Sequence, residues 1–253
     1  MTNILISGIL GHMGRNVYEL AAADADVQCV CGVDLREEAF CSVPVYDSFD
    51  KVKEPVDVVI DFSSAANLPN ILTFAKRTGC GVILAATGYT ESDLAAIDAA
   101  AKETAVFKTA NLSVGVNLLQ KLVKEAAAFL GDAFDIEIIE KHHNLKKDAP
   151  SGTALMLAES ANEGAGGTKR FIYGREGMVG AREKAEIGIH AVRGGTIVGE
   201  HEVMFAGEDE IVTLAHSARS RKVFASGALK AAAWLQGRAP GLYDMDDLLA
   251  GIV

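Results

Sequence analysis

A short apolar strand running straight into Gly8-Ile9-Leu10-Gly11-His12-Met13-Gly14 restricts the fold of this chain more than any other feature. A strand that must turn tightly, let its backbone approach an anion and open a helix needs glycines, and the new helix N-terminus then favours negative charge. The spacing is G-x-x-G-x-x-G rather than G-x-G-x-x-G, so a purely structural turn stays open as a reading. Asp34, about 20 residues beyond, ends a second apolar run where an acid accepts bonds from a ribose hydroxyl. Its charge argues for NAD, while Arg36 can offset repulsion of a 2′-phosphate, which leaves NADP open.

Further apolar runs at 56–62, 81–86 and 105–108 join those at 3–7 and 27–34, with helical stretches at 14–23, 66–77 and 91–103 between them. Near-continuous apolar strands alternating with helices imply a parallel sheet covered on both faces. Ligands of such sheets bind at the carboxyl edge, where the loops Ala85-Ala86-Thr87-Gly88 and Thr109-Ala110-Asn111-Leu112 fall. After Asn111 the texture changes. Helices are expected at 116–130, from about Gly152 and at 223–236, and strands at 134–141, 186–192, 196–205 and 210–218. The expected class is α/β: a Rossmann-type parallel-sheet dinucleotide domain plus a second α+β domain with a mixed, largely antiparallel sheet.

Composition narrows the partners. The 253 residues suit one or two domains, and 49% hydrophobic with 23% charged residues is an ordinary globular mix. A net charge of −10 disfavours nucleic acid as a partner. No apolar stretch approaches a membrane span, and the N-terminus does not read as a signal peptide, so a cytoplasmic protein is expected. Cys29, Cys31, Cys41 and Cys80 match no zinc spacing and read as idle thiols.

Glu140-Lys141-His142-His143-Asn144-Leu145-Lys146-Lys147-Asp148-Ala149-Pro150-Ser151-Gly152-Thr153-Ala154 sets proton carriers beside an anion trap. Ser151 reads as a helix N-cap whose following N–H groups face outward and attract a carboxylate. His142, His143 and Lys146 add hydrogen-bonding or cationic groups. A metal site is disfavoured because adjacent strand residues point to opposite faces and no third ligand completes a cluster. A Ser151 nucleophile lacks its usual setting, and a merely solvated polar loop remains an alternative.

This run closely resembles the signature of bacterial 4-hydroxy-tetrahydrodipicolinate reductases, also called dihydrodipicolinate reductases. Supporting pieces are Gly11-His12-Met13-Gly14-Arg15, Asp61-Phe62-Ser63, Ala110-Asn111-Leu112-Ser113-Val114-Gly115-Val116-Asn117, Gly174-Arg175-Glu176-Gly177, Ile197-Val198-Gly199-Glu200-His201 and Gly241-Leu242-Tyr243-Asp244-Met245. The resemblance implies NADH- or NADPH-dependent reduction of a cyclic imine dicarboxylate, with loss of water, in the diaminopimelate route to lysine. It implies His142 as general acid/base, Lys146 as proton donor, and His143, Lys146, Ser151, Gly152 and Thr153 as holders of the substrate carboxylates. Cofactor contacts fall to Gly8, Gly11, His12, Met13, Gly14, Asp34, Ala85, Ala86, Thr87, Gly88, Thr109, Ala110, Asn111 and Leu112. It further implies a homotetramer, a dinucleotide-binding domain of residues 1–112 and 224–253, and a substrate-binding and oligomerisation domain of residues 113–223. Leu35 stands where family members often place an Arg on the 2′-phosphate, so NADH is expected to serve at least as well as NADPH. Two rivals are a different nicotinamide oxidoreductase, acting for example on a semialdehyde, and a non-enzymatic dinucleotide sensor.

Overall fold

The computed structural model describes residues 1–37, 42–86 and 88–251; Cys41 and Thr87 lie outside them. The chain divides into two units, Met1–Val114 with Arg221–Val253, and Gly115–Ser220.

The first unit is built on seven parallel strands: β1 (Thr2–Ser7), β2 (Val27–Val33), β3 (Val45–Tyr46), β4 (Val58–Asp61), β5 (Gly81–Leu84), β6 (Ala105–Lys108) and, near the C-terminus, β12 (Gly241–Tyr243). Their order is β12-β6-β5-β4-β1-β2-β3. Helices α1 (His12–Ala21), α2 (Leu68–Thr78), α3 (Glu91–Ala100), α6 (Lys222–Leu235) and α7 (Met245–Ala250) complete it. The near-continuous apolar strands are explained by cores on both sheet faces. Ile4, Ile6, Ile60 and Phe107 pack with α1 and α6, while Leu5, Val59, Val82 and Leu84 pack with α2 and α3. Small residues let α6 lie close: a Cβ on Gly227 would overlap the Leu112 carbonyl oxygen. Helix α3 starts at a Thr90–Asp93 capping box and stops at Ala100, short of residue 103. The strands β3 and β12 and the helix α7 are too short to leave a periodic pattern in the sequence.

The second unit carries a five-stranded mixed sheet of β7 (Asp135–His142), β8 (Arg170–Tyr173), β9 (Glu186–Arg193), β10 (Gly199–Ala206) and β11 (Ile211–Ala218), ordered β11-β10-β7-β9-β8. Strand β10 runs antiparallel to both neighbours, whereas β7–β9 and β8–β9 are parallel. Helices α4 (Val114–Leu130) and α5 (Gly152–Gly164) cover one face. Leu119, Val123, Leu157 and Ala161 pack there on Ile136, Ile138, Ile189 and Phe205. The strand expected at 196–205 begins only at Gly199, where pairing with Ala218 starts.

Candidate active site

In the first unit, β1 lies between β2 and β4, so the strand order reverses at its carboxyl end. Such a switch point opens a crevice. Gly8 sits there with φ +79°, and a Cβ on it would stand 3.1 Å from the Phe62 carbonyl and Ser63 Cα. Both constraints demand glycine. Gly14 is equally fixed, because its Cβ would overlap the Gly8 carbonyl oxygen. Gly11 N-caps α1 without any side-chain cap and with no acid in the first turn, leaving helix-end N–H groups for an anion. Asp34 follows β2, and its carboxylate accepts the Leu10 N–H at 2.9 Å and the Leu35 N–H at 2.8 Å. It thereby braces the glycine turn and lines the crevice. A cavity of about 690 Å³ is lined by Gly8, Gly11, Asp34, Leu35, Ser63 and Asn67, among others.

Other expected cofactor residues fall at different depths. His12 is exposed and Met13 half-buried. Ala85, Ala86 and Gly88 follow β5, and Thr109, Ala110 and Asn111 follow β6, on the carboxyl edge of the sheet. Thr109 Oγ1 donates to the Asn111 carbonyl at 3.0 Å and shapes that loop. Leu112 is 3% exposed and packs in the core, so only its backbone is placed to meet a ligand. Cys31 and Cys80 are buried free thiols and Cys29 is half-buried. Burial, with Glu54 nearby, pushes the Cys31 thiol far up, which keeps it unreactive.

In the second unit, β7 alternates, and Ile136, Ile138, Glu140 and His142 share its buried face. The same face thus passes from apolar core to polar site. His142 Nδ1 meets Glu140 Oε2 at 2.6 Å. Its Nε2 has no hydrogen-bond partner among the described residues, and a Cβ on Gly199 would stand 3.1 Å from that nitrogen. Glu140 is fully buried and also accepts the Ser151 N–H at 3.0 Å and two Arg193 N–H groups at 2.7 Å each. Burial pushes its carboxyl up, but Arg193, His142 and the Ser151 N–H outweigh this and hold it below the usual carboxylate range.

Ser151 caps α5 as expected, its Oγ accepting the Ala154 N–H at 3.2 Å and meeting His201 Nε2 at 3.0 Å. Burial, reinforced by His142, lowers His201 to about 4, so His201 is neutral at pH 7. Gly152 is exposed with open space where a Cβ would point, and no acid occupies the first turn of α5. Lys146, largely covered, pairs with Asp148 at 2.9 Å. His143 is half-buried just past the end of β7, and the His142 ring stands edge-on to His201 at 5.2 Å.

Sequence reasoning passed over Glu140, Arg193 and His201. Glu140 has a signal, since two residues before His142 on a strand means the same face. Arg193 lies 53 residues from Glu140 and His201 lies 50 from Ser151, distances at which nothing local reports the contact.

Comparisons with known proteins show the family and its fold. The family model for the dihydrodipicolinate reductase N-terminus matches residues 2–112, and that for its C-terminus matches residues 115–249. The 4-hydroxy-tetrahydrodipicolinate reductase of Caldanaerobacter subterraneus subsp. tengcongensis is 49% identical over 98% of both chains. That of Methanospirillum hungatei JF-1 is 45% identical, covering 98% of this chain and 99% of its own. A solved structure, dipicolinate-bound dihydrodipicolinate reductase from Paenisporosarcina sp. TG-14, superposes with a TM-score of 0.81 at 25% identity, over 96% of this chain and 97% of that one. Matched through both halves and along nearly its whole length, the chain belongs to the dihydrodipicolinate reductase family.

Proposed function

We propose that this chain reduces 4-hydroxy-tetrahydrodipicolinate to tetrahydrodipicolinate with NADH or NADPH, with His142 and Lys146 handling the proton and the start of α5 seating the substrate. The observation that carries the site assignment is the buried Glu140–His142 pair next to a helix N-terminus that Ser151 caps and that has no acidic side chain in its first turn. The relatives' activity is the family's, a reduction in the diaminopimelate route to lysine.

The residues of the first unit fit a nicotinamide dinucleotide. The free N–H groups beyond Gly11 suit a pyrophosphate, Gly8 and Gly14 permit its close approach, and Asp34 suits a ribose diol. His12, Met13 and the loops at 85–88 and 109–112 complete the proposed contacts. When bound, the nicotinamide supplies a hydride.

Reduction of a conjugated cyclic imine raises electron density at the ring nitrogen, which must then take a proton. His142, with Nε2 unengaged, and the Lys146 ammonium are the groups of this unit suited to deliver it. Two substrate carboxylates need compensation. The N–H groups of Gly152 and Thr153, the Ser151 hydroxyl, His143 and Lys146 provide it without a dedicated Arg. This divides the work between a dinucleotide-binding domain, residues 1–112 and 224–253, and a substrate-binding domain, residues 113–223.

Asp34 favours NADH by opposing a 2′-phosphate and the fully exposed Leu35 beside it adds no cation, while Arg36 offsets part of that repulsion and keeps NADPH usable. We further propose a cytoplasmic homotetramer assembled through the second unit, whose exposed Tyr173, Met178, Val192 and Ile211 need covering. No helix among the described residues is long and apolar enough to cross a membrane. Steady-state oxidation of NADH and NADPH, with the condensation product of pyruvate and aspartate semialdehyde, tests the reading. Turnover is expected with both cofactors, and kcat/KM for NADPH is not expected to exceed that for NADH by tenfold. Binding of NADH without turnover would instead indicate a sensor.

A further inference from the structure

We infer that Glu140, clamped by Arg193, is a positioning residue that fixes His142 with Nδ1 protonated and Nε2 presented, and ties it to the substrate-seating end of α5. The inference rests on the proposed role of His142 and adds what sets that role. Glu140 receives four N–H groups from three elements: His142 on its own strand, Arg193 on β9 and the backbone of Ser151 before α5. An ionised carboxylate only accepts, so the ring nitrogen facing it must donate. The neutral imidazole therefore keeps its proton on Nδ1. When the imidazolium acts as an acid, the Nε2–H bond breaks, its electron pair stays on Nε2, and the proton passes to the substrate nitrogen. Nδ1–H stays with Glu140 throughout.

One anchor for both parts matters because proton transfer tolerates little misplacement. Oxygen Oε2 holds the acid and Oε1 holds the Ser151 N–H, so a single buried group sets the spacing between proton carrier and anion seat. Arg193 keeps that group ionised and oriented by two parallel bonds, and its Nη2 also donates to the Asp148 carbonyl at 2.7 Å. The loop holding Lys146 is thus joined to the same anchor.

The charged and titratable groups around His142 are Glu140 on β7, Arg193 on β9, His201 on β10 with His216 behind it on β11, and Lys146 with Asp148 in the loop before α5. Among them Glu140 alone combines negative charge with direct contact to the ring. Both partners of the clamp should reveal it. Glu140→Gln removes the anion beside the ring and should move the alkaline limb of kcat to lower pH. Arg193→Met removes the cation that keeps the buried Glu140 ionised and should move the limb the same way. A merely structural role would move neither limb.

Nitrogen NMR of the wild-type enzyme with labelled imidazoles keeps the test independent of the variants' folding. The neutral His142 signal, assigned by its loss in His142→Asn, is expected to be the Nδ1–H tautomer. The Nε2–H tautomer overturns the inference, as do two folded variants with unmoved limbs. If His142→Ala retains full turnover, it is the proposed role of His142 that fails, whatever the tautomer.

Discussion

His142 and Lys146 are held by opposite means, and this decides what replacing each should do. The imidazole is fixed from one side by a fully buried carboxylate at 2.6 Å, whereas the ammonium is tied at 2.9 Å to Asp148, which is mostly exposed. Asp148 is open to water and is resolvated there when Lys146 turns to a substrate carboxylate. His142→Ala and Lys146→Ala should each lower kcat by roughly 10²-fold or more, the usual contribution of a positioned proton donor. NADH affinity should stay unchanged in both, because neither residue belongs to the unit that carries Gly8 and Asp34. Ser151→Ala should act chiefly on KM, since the carboxylate contact proposed for it would exist before the transition state as well. Stopped-flow turnover with fluorescence titration of NADH separates the two effects. Full turnover in both His142→Ala and Lys146→Ala would remove the assignment.

Strand β7 shows how far a sequence pattern reaches and where it ends. Its span is legible from 134–141, and its alternation puts Ile136, Ile138, Glu140 and His142 on one face. The capped start of α5 is equally legible, because Ser-Gly-Thr after a proline is a local signal. The partners of the other face are not. Glu137 binds Arg175, Arg182 and His190, which come from 38 to 53 residues away, so only the folded sheet brings them together. Strand β8 escapes notice for a related reason: four residues carry too little periodicity, and parallel pairing with β9 defines it. The Glu137 cluster also makes a pH prediction. Burial alone would raise its carboxyl, but the two arginines and His190 outweigh that and lower it from 4.5 to about 2. A depressed carboxyl contributes stability that is complete above its unfolded value and lost as pH falls through its folded one. Glu137 should therefore contribute roughly 3 kcal/mol near neutrality, fading between pH 4.5 and 2. Glu137→Gln should lower Tm at pH 7, and the gap from wild type should close toward pH 2. A gap that is constant with pH would show that packing, not charge, is what the substitution removes.

At the scale of the whole chain, the crevice proposed for the dinucleotide depends on residues that never touch it. The residues lining the cavity all lie between Gly8 and Phe74, yet the core beneath the same sheet is completed by the C-terminal segment. Leu229 and Leu235 of α6, with Met245 and Leu248 of α7, are each nearly or wholly buried there, alongside Ala225, Ala228, Ala231 and Ala232. Burying four such large side chains is worth roughly 6–12 kcal/mol together. That is comparable with the whole stability of a domain, about 5–15 kcal/mol. The first unit therefore cannot close its core until the chain has passed through the second and returned at Arg221. A chain ending at Ser220 keeps the glycine turn, Asp34 and both sheet-edge loops, and should nonetheless fail to bind NADH. A milder form separates folding from direct contact. Leu235→Ala should cost about 2–5 kcal/mol and lower Tm, yet leave the NADH Kd of the folded fraction as in the full-length protein. NADH fluorescence titrations of the two variants, read beside their melting curves, give the answer. Wild-type affinity in the truncated chain would mean that the turn and its first strands hold the cofactor without the returning helix.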